Sequence, residues 1–375
     1  MPVFGAPQVM FVRGEGTQLW DVNGKRYLDF LSGISVTSLG HANPRIADAI
    51  AEQAHTLLHV SNFFANPVAA RAAKMVDSLL GGGGQVFFCN SGAEANEAGI
   101  KLARKFGGRG RHKVVSMLGS FHGRTLAALA ATGQPAKHEP FQPMPDGFVH
   151  VPFGDIAALD KAVDGSVAAV LVECVQGEGG VIPATNEWLR AVRSLCTERG
   201  ALMMIDEVQT GFARTGEWFG FQHAGVKPDV VMLAKAMGNG MPVGALWAPR
   251  EIAKVFVPGD HGSTYSGTAI ATAAVCEVIN IMREIDAPRL AREKGELITS
   301  RLQRMPAVKS VRGRGLLLGV ELGEGADAKA KQVALMERGL VTNAVTSTAL
   351  RLAPPITVSH DEIAEAMAAM ESVLS

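Results

Sequence analysis

The stretch ALMMIDEVQ at residues 201–209 joins a run of apolar residues to two carboxylates. Apolar side chains at every position, rather than at alternate ones, are typical of a strand buried on both faces, as in a parallel sheet flanked by helices. Ligands bind such a sheet beyond the carboxyl ends of its strands, and a carboxylate is costly to bury there without a partner. We therefore expect Asp206 to face either a metal ion or a protonated ring nitrogen.

Further short apolar runs alternate with helical stretches on both sides of this segment. They lie at residues 86–88, 114–117, 167–172, 230–233 and 243–247. The alternation predicts the α/β class, with a large domain built on a mostly parallel sheet and, after residue 265, a smaller α+β domain. Strand-like segments around Asn23-Gly24, a tight-turn signal, predict an N-terminal hairpin that joins the small domain.

We place the boundaries by these changes of pattern. The N-terminal segment is predicted to cover residues 1–45, the large domain 46–264 and the small domain 265–375. At about 150 residues per domain, a chain of 375 residues is long enough for two domains.

The composition is that of a globular protein without net charge. Hydrophobic residues make up 47% of the chain, and its 36 Lys and Arg balance 36 Asp and Glu. Nucleic acids and anionic membrane surfaces select for excess positive charge, so we expect neither as the main partner. The four cysteines lie far apart and the histidines show no metal-ligand spacing, which predicts free thiols and no metal site. No signal-peptide pattern is present, so we expect a cytoplasmic protein.

The segment NSGAEANE at residues 90–97 follows one of the predicted strands and opens a helix. Ser91 is a plausible N-cap, and Glu94, three residues later, completes the pattern of a capping box. Gly92 and Ala93 would then present free N–H groups at the positive helix end, which suits an anion such as phosphate. An ordinary capped helix without a ligand explains the same pattern.

Two other strand ends carry reactive or binding groups. Lys235 follows a predicted buried strand and precedes a glycine-rich turn, a place where desolvation lowers the pKa of an amine and makes it a usable nucleophile. Phe121 offers an aromatic face and Arg124 a fork for a carboxylate. The alternatives are a lysine that reaches the surface and a core phenylalanine beside a surface arginine.

Taken together, these groups point to one cofactor. A nicotinamide enzyme needs no lysine, and the G-x-G-x-x-G turn after a first strand is absent. A phosphate-bearing aldehyde needs the anion-binding helix end, the aromatic face, the carboxylate and the amine. Pyridoxal 5′-phosphate has this chemistry.

Long motifs support the same conclusion by resemblance. They are NSGAEAN (90–96), FHGRT (121–125), QGEGG (176–180), DEVQTG (206–211) and HGSTY (261–265). In these motifs and their order the chain resembles the class-III, ornithine-type aminotransferases, and among them most closely the enzymes that act on acetylornithine. The resemblance runs from about residue 40 to residue 355 and implies the aspartate-aminotransferase fold, which is fold type I of the pyridoxal-phosphate enzymes.

The resemblance implies roles in cofactor binding. Lys235 would form the Schiff base and, once displaced by substrate, move the proton, while Asp206 would keep the pyridine nitrogen protonated. The other implied cofactor contacts are Ser91, Gly92 and Ala93 at the phosphate, Phe121 and Val208 on the two ring faces, Gln209 near the phenolic oxygen, and Thr264 at the phosphate of the neighbouring subunit. The last of these implies a homodimer with shared active sites.

The resemblance also implies substrates. Arg124 would bind the α-carboxylate of the acylated ornithine and Arg351 that of glutamate, with Glu178 paired to Arg351 in the other half-reaction. Ser61, Asn62 and Ser263 resemble acetylornithine-pocket positions. The implied activity moves the ω-amino group of N2-acetylornithine to 2-oxoglutarate, giving N-acetylglutamate 5-semialdehyde and glutamate in arginine biosynthesis. Succinylornithine, succinyldiaminopimelate, ornithine and 4-aminobutyrate are the alternative amine donors.

The chain departs from the family pattern in three places. Ala93 stands where a threonine is usual, which removes a side-chain contact to phosphate, and Cys174 stands where proline is common. Residues 266–269 (SGTA) replace a Gly-Gly-Asn-Pro sequence near the expected dimer interface. None of the three removes a catalytic group.

Two functions from other classes are weaker alternatives. A nucleotide hydrolase also has an apolar strand that ends in Asp-Glu, but the G-x-x-x-x-G-K-[ST] phosphate loop is absent. A non-catalytic binding protein on the same scaffold is compatible with the fold. The joint presence of Lys235, Asp206, Arg124 and Arg351 argues against it.

Overall fold

The computed structural model describes residues Met1–Ser375. Its strands are β1 (Phe11–Glu15), β2 (Gln18–Asp21), β3 (Arg26–Asp29), β4 (Gly84–Cys89), β5 (Lys113–Met117), β6 (Phe148–Val151), β7 (Val167–Glu173), β8 (Val175–Gln176), β9 (Ile182–Pro183), β10 (Leu202–Asp206), β11 (Val230–Leu233), β12 (Gly244–Pro249), β13 (Val308–Arg314), β14 (Leu317–Leu322), β15 (Leu340–Val341), β16 (Asn343–Ala344) and β17 (Ala349–Leu352).

The helices range from single turns to four turns. They are α1 (Ser32–Ser35), α2 (Pro44–Thr56), α3 (Pro67–Leu79), α4 (Gly92–Gly107), α5 (Leu126–Ala131), α6 (Pro135–His138), α7 (Ile156–Ala162), α8 (Asn186–Arg199), α9 (Arg250–Ala253), α10 (Ala269–Glu284), α11 (Ala287–Leu302), α12 (Ala328–Glu337) and α13 (His360–Leu374). None of them is long and apolar enough to cross a membrane.

A seven-stranded sheet in the order β4-β12-β11-β10-β7-β5-β6 forms the centre of the molecule. Strands β7, β10 and β11 are parallel and buried along their whole length, as the unbroken apolar runs predict. The parallel register sets Asp206 of β10 opposite Glu173 of β7, so two carboxyl groups meet at the same edge of the sheet.

Two features of this sheet differ from the sequence-based expectation. Strand β12 runs antiparallel to both of its neighbours, whereas its apolar run suggested a parallel strand. Apolar periodicity reports burial on both faces and carries no information on strand direction. Strand β6 at the far edge was not predicted, because its short segment, FVHV, is only partly buried.

Smaller sheets lie outside the central one. Strands β13, β14, β17 and β16 form an antiparallel sheet near the C-terminus, and β14 holds Arg351 of β17 opposite Gly319. The predicted N-terminal hairpin is β2 and β3, which is extended by β1 and paired in parallel with β15 through Leu28 and Leu340. The N-terminal strands thus share a sheet with a C-terminal strand.

Candidate active site

A cleft of about 390 Å³ opens at the edge where β4, β5, β7, β10 and β11 end. Most of the predicted site residues line it, although they come from five separate connections. These residues are Ser91, Gly92, Ala93, Phe121, Arg124, Glu178, Asp206, Val208, Gln209 and Lys235. The segments that follow these strand ends therefore meet at one cleft, as the sequence predicts.

The N-terminus of α4 forms one wall of the cleft. The Ser91 hydroxyl accepts the N–H of Glu94 at 3.2 Å, as the capping pattern predicts. The second half of the predicted capping box is wrong, because the Glu94 carboxylate accepts the N–H of Asn90 instead of that of Ser91. The N–H groups of Gly92 and Ala93 have no acceptor within the chain, so this helix end can bind an anion.

Glycine is required at position 92 by a close approach to Val208. A Cβ on Gly92 would lie 2.7 Å from a Val208 methyl group, closer than real Cβ atoms come. The absence of a side chain therefore lets the helix end and the Val208 side chain stand against each other. This contact brings the anion-binding helix end next to the strand end that carries Asp206.

Asp206 is held by three hydrogen bonds. One carboxylate oxygen contacts the Nδ1 atom of His122 at 2.8 Å and accepts the side-chain N–H of Asn96 at 2.9 Å, while the other accepts the N–H of Val208 at 3.0 Å. With Asp206 ionised, His122 donates from Nδ1, which leaves its buried Nε2 atom without a partner. The carboxylate is thereby fixed in orientation within the cleft.

His122 and Asn96 were not predicted as site residues. Both lie inside motifs that were singled out, His122 in FHGRT and Asn96 in NSGAEAN. The position of Asn96 gave a usable signal, since four residues after Gly92 is one helical turn and faces the same wall of the cleft.

Lys235 follows β11 and opens a single 3-10 turn. Its φ of 50° is in the left-handed region, which is strained for a residue with a side chain. Burial and the positive charge of Arg351 lower the pKa of Lys235 to about 8, against the opposing effect of the nearby carboxylates. At that pKa a useful fraction of the amine is uncharged near neutral pH and can attack a carbonyl.

Buried Arg351 forms an ion pair with the partly exposed Glu178. The guanidinium is 1% exposed, and it donates to Glu178 at 2.6 Å and to the side-chain oxygen of Asn343 at 2.8 Å. Burial opposes ionisation of Glu178, but Arg351 outweighs it and lowers the pKa of this carboxyl. The Nε atom of Arg351 has no partner, so the arginine keeps unused donor capacity.

Glu173 supports the loop that carries Phe121. Its buried carboxyl accepts the N–H of Phe121 at 3.1 Å. Burial and the neighbouring charge of Asp206 raise the pKa of Glu173 well above its usual value. The sequence gave no reason to select Glu173 beyond its place at a strand end.

A second group of predicted residues lies outside the cleft. Asn62 donates to the backbone oxygen of Ser266 at 3.1 Å, and the hydroxyl of Ser263 accepts from the Asn90 side chain at 3.0 Å. Ser61 lies next to Asn62 with a φ of 61°, and Thr264 is exposed. Ser61, Asn62 and Thr264 do not line the cleft of their own chain.

Comparison with known proteins agrees with this geometry. The family model for aminotransferase class-III matches residues 4–374. The chain belongs to the class-III aminotransferase family. The acetylornithine aminotransferase of Caldanaerobacter subterraneus subsp. tengcongensis is 44% identical, over 100% of this chain and 97% of the relative. That of Corynebacterium efficiens is 45% identical, over 99% and 94%.

Solved structures place the fold in the same family. The ornithine aminotransferase of Toxoplasma gondii, with partial occupancy of PLP at its active site, superposes with a TM-score of 0.95 at 31% identity and covers 99% of this chain and 91% of its own. This class-III aminotransferase therefore has the predicted aspartate-aminotransferase-like fold, a large mostly parallel sheet with a smaller domain.

Class-III aminotransferases are enzymes that use pyridoxal 5′-phosphate. The residues of this class-III chain fit that cofactor. The free N–H groups of Gly92 and Ala93 suit its phosphate, and the Lys235 amine of lowered pKa suits its aldehyde. The Gln209 side-chain oxygen is buried without a hydrogen-bond partner, so it has capacity for a ligand in the cleft.

Proposed function

We propose that this class-III aminotransferase moves the ω-amino group of N2-acetylornithine to 2-oxoglutarate, giving N-acetylglutamate 5-semialdehyde and glutamate. The observation that carries the proposal is the contrast between Arg124, which lines the cleft, and Arg351, which lies behind the cleft and is paired with a residue that lines it, Glu178. Arg351 is buried and paired with Glu178, whereas Arg124 lines the cleft without a carboxylate partner. Both named relatives are acetylornithine aminotransferases, which supports the same substrate.

We assign the cofactor contacts as the resemblance implies them. The N–H groups of Gly92 and Ala93 would bind the phosphate, with Ser91 beside them, and Phe121 and Val208 would contact the ring. Gln209 would serve as a further polar contact to the cofactor. Because Ala93 offers no hydroxyl, the phosphate would depend on the backbone N–H donors and on the Thr264 hydroxyl of a second subunit.

Asp206 and Lys235 perform the acid-base work. Pyridoxal 5′-phosphate, when bound, supplies a carbonyl that condenses with amines and a ring that delocalises the electron pair left on the substrate carbon. Asp206, held by His122 and Asn96, keeps a negative charge against the ring nitrogen and so favours its protonated form. The Lys235 amine would act as the base that removes the proton from the substrate carbon and as the acid that returns it.

The two arginines divide the substrates. When N2-acetylornithine is bound, its carboxylate pairs with Arg124 while Glu178 keeps Arg351 neutralised. When glutamate or 2-oxoglutarate is bound, its α-carboxylate displaces Glu178 from Arg351. The displacement is feasible because Glu178 is only partly buried, with about a third of its side chain exposed.

We also propose a homodimer whose active sites are shared. Thr264, Ser61 and Asn62 lie at an exposed surface of their own chain, beside Phe63 and Phe64, which are 93% and 70% exposed. Large apolar side chains exposed together favour burial against a partner. In the dimer Thr264 would donate a hydrogen bond to the cofactor phosphate of the partner subunit. Ser61, Asn62 and Ser263 would line the acyl end of the partner's substrate pocket.

Subunit mixing tests the shared site. Lys235→Ala subunits should be inactive, and Thr264→Ala subunits should be impaired at low cofactor concentration. At that concentration the two should recover activity when they are dissociated and reassembled together, because one site of the mixed dimer has both residues. Light scattering measures the assembly. A monomer in solution, or no recovery on mixing, would refute the shared site.

Three further proposals concern the domain boundaries, the cellular location and the pathway of this enzyme. We place the domain boundaries at residues 1–45, 46–264 and 265–375, supported by the central sheet, whose strands lie between residues 84 and 249. We place the enzyme in the cytoplasm and in arginine biosynthesis. Limited proteolysis tests the boundaries, and the arginine requirement of a deletion strain tests the pathway.

An absorbance spectrum of the cofactor-loaded protein tests the main proposal. Addition of N2-acetylornithine should shift the visible cofactor band, and 2-oxoglutarate should restore it. A band that ignores acetylornithine but responds to free ornithine or 4-aminobutyrate would change the substrate and keep the reaction class. The absence of a cofactor band after reconstitution with pyridoxal 5′-phosphate would refute the proposed function.

A further inference from the structure

The hairpin of β8 and β9 carries Glu178 in its turn. The two short strands pair antiparallel, and residues 177–181 connect them. At the base of the hairpin, the Gln176 side chain donates to the backbone oxygen of Leu118 at 2.9 Å, which ties the hairpin to the loop after β5. The position of Glu178 at the tip therefore depends on what the turn itself contacts.

The turn lies on one rung of the antiparallel sheet near the C-terminus. Gly319 of β14 is paired with Arg312 of β13 on one side and with Arg351 of β17 on the other. Directly paired residues of antiparallel strands place their side chains on the same face of the sheet. The two arginines thus flank a position that has no side chain.

The turn packs on the sheet at Gly319. A Cβ on this residue would lie 2.9 Å from the backbone oxygen of Gly180 and 2.9 Å from the Cβ atom of Val181, closer than real Cβ atoms come. Val181 is fully buried in a cluster with Leu317, and its φ of 56° is rare for a β-branched residue. The absence of a side chain on Gly319 therefore lets the backbone of the turn rest directly on β14.

Arg312 and Arg351 hold this turn from two sides. The Nε atom of Arg312 donates to the backbone oxygen of Gly180 at 2.7 Å, and Arg351 donates to the Glu178 carboxylate at 2.6 Å. Arg312 is itself oriented by an ion pair with Glu321 at 2.6 Å. One arginine thus binds the backbone of the turn, and the other binds the acid that the turn carries.

We propose that Arg312 is a positioning residue that sets Glu178 against Arg351 and so determines the selectivity of the cleft between its two kinds of carboxylate substrate. Arg312 does not line the cleft, and it acts through the turn. The proposal rests on the proposed function, in which Glu178 pairs with Arg351 for the acylated donor and leaves it for glutamate. Without the bond from Arg312 the turn can move, and Arg351 becomes available to any α-carboxylate.

Glutarate binding gives a readout that general damage to the site would not produce. Glutarate has the two carboxylates of 2-oxoglutarate at the same spacing but no keto group, so calorimetry with the cofactor-loaded enzyme reports carboxylate binding alone. In the native enzyme glutarate must displace Glu178 from Arg351. Arg312→Met should tighten glutarate binding about threefold or more, as Glu178→Gln should, because the competing ion pair is weaker. Unchanged or weaker binding in Arg312→Met would overturn the proposal.

Half-reaction kinetics test whether Arg312 acts through Glu178. Single-turnover absorbance with N2-acetylornithine and with glutamate is measured for the native enzyme, Arg312→Met, Glu178→Gln and the double variant. Arg312→Met should lower kcat/KM for N2-acetylornithine about three- to tenfold and that for glutamate less. The double variant should match Glu178→Gln, because the two changes disturb one interaction. Losses that add in the double variant would show that Arg312 acts independently of Glu178.

Two further variants separate this role from folding. Gly319→Ala fits the strand backbone of β14 but displaces the turn, so it should shift selectivity in the same direction as Arg312→Met. Arg314→Met is the matched control, because Arg314 of β13 donates to Ala184 and Asn186 beyond the hairpin. It should leave glutarate binding and the ratio of the two donors near their native values.

The outcomes distinguish this inference from the function on which it rests. If N2-acetylornithine converts the native cofactor band but Arg312→Met lowers both donors equally, the positioning role is wrong and the proposed function stands. If the native band does not respond to N2-acetylornithine, the proposed function is wrong. Glutarate binding then decides by itself whether Arg312 sets the pair of Glu178 and Arg351.

Discussion

The edge of the central sheet and the surface around Thr264 differ in how far folding of one chain orients their side chains. At the sheet edge Asp206 has three hydrogen bonds, and the buried Arg351 is paired with the partly exposed Glu178, so these groups are already oriented. At the surface, Thr264 and Phe63 are exposed and do not line the cleft. The difference teaches that folding of one chain orients some of the predicted site residues and leaves others at the surface, where the proposed dimer would complete the site.

The largest expected effect comes from the sheet edge. Lys235→Ala removes the amine that serves as nucleophile and base, so kcat/KM should fall by at least about 10⁴-fold. Lys254→Ala, an exposed lysine, is the matched control and should retain full activity. Turnover of the Lys235→Ala enzyme within tenfold of native would show that the cleft does not use this lysine.

A smaller loss is expected at Asp206. Asp206→Asn keeps the shape of the side chain and removes the charge that favours a protonated ring, so kcat should fall about 10²–10³-fold. Cofactor titration followed by steady-state kinetics separates binding from catalysis. Asp146→Asn, at an exposed site, serves as the control. A loss seen only in cofactor affinity would assign Asp206 a binding role alone.

At the surface around Thr264 we expect a loss of cofactor affinity rather than of kcat. Thr264→Ala should weaken cofactor binding about 10–100-fold, as the loss of one hydrogen bond to a charged group, and leave kcat nearly native when cofactor saturates. Equilibrium dialysis against pyridoxal phosphate measures the affinity, with Ser300→Ala as the control. An unchanged affinity would mean that this surface does not contribute to the cofactor site.

The ion pair at the sheet edge should control selectivity more than rate. Glu178→Gln leaves Arg351 free in both half-reactions, so kcat/KM for N2-acetylornithine should fall about tenfold while that for glutamate changes less. Single-turnover absorbance with each amino donor measures the two half-reactions separately. Equal losses for the two donors would indicate that the pair is static.

The smallest effect is a shift in pH dependence. Only the uncharged Lys235 amine reacts, so the rate of cofactor uptake by the cofactor-free protein should rise with pH and level off above a midpoint near 8, the lowered pKa of this amine. Arg351→Met should move the midpoint upward, because the positive charge that helps to lower the pKa is lost. A native midpoint above 10 would show that the lysine is solvated.

Sequence patterns predicted the local elements of this chain better than its long-range contacts. The apolar runs and the capping residue Ser91 are local features, and the structure confirms the strands and the cap that they indicate. His122 was missed because its contact with Asp206 joins residues 84 positions apart. The direction of β12 was wrong for a similar reason, since pairing with β4 and β11 sets it. The error at Glu94 is local, because its carboxylate accepts from Asn90, the residue next to the predicted Ser91.

The order and chemical type of the residues were enough to predict the fold class and the family, because strand periodicity, helix capping and motif spacing act over a few residues. The ion pairs and pKa values of the side chains in the cleft depend on segments that lie far apart in the sequence and meet in the fold. Glu178 meets Arg351 across 173 positions, and packing around Lys235 determines the pKa of its amine. Distance and local dielectric set the strength of charge interactions, and both are properties of the folded molecule.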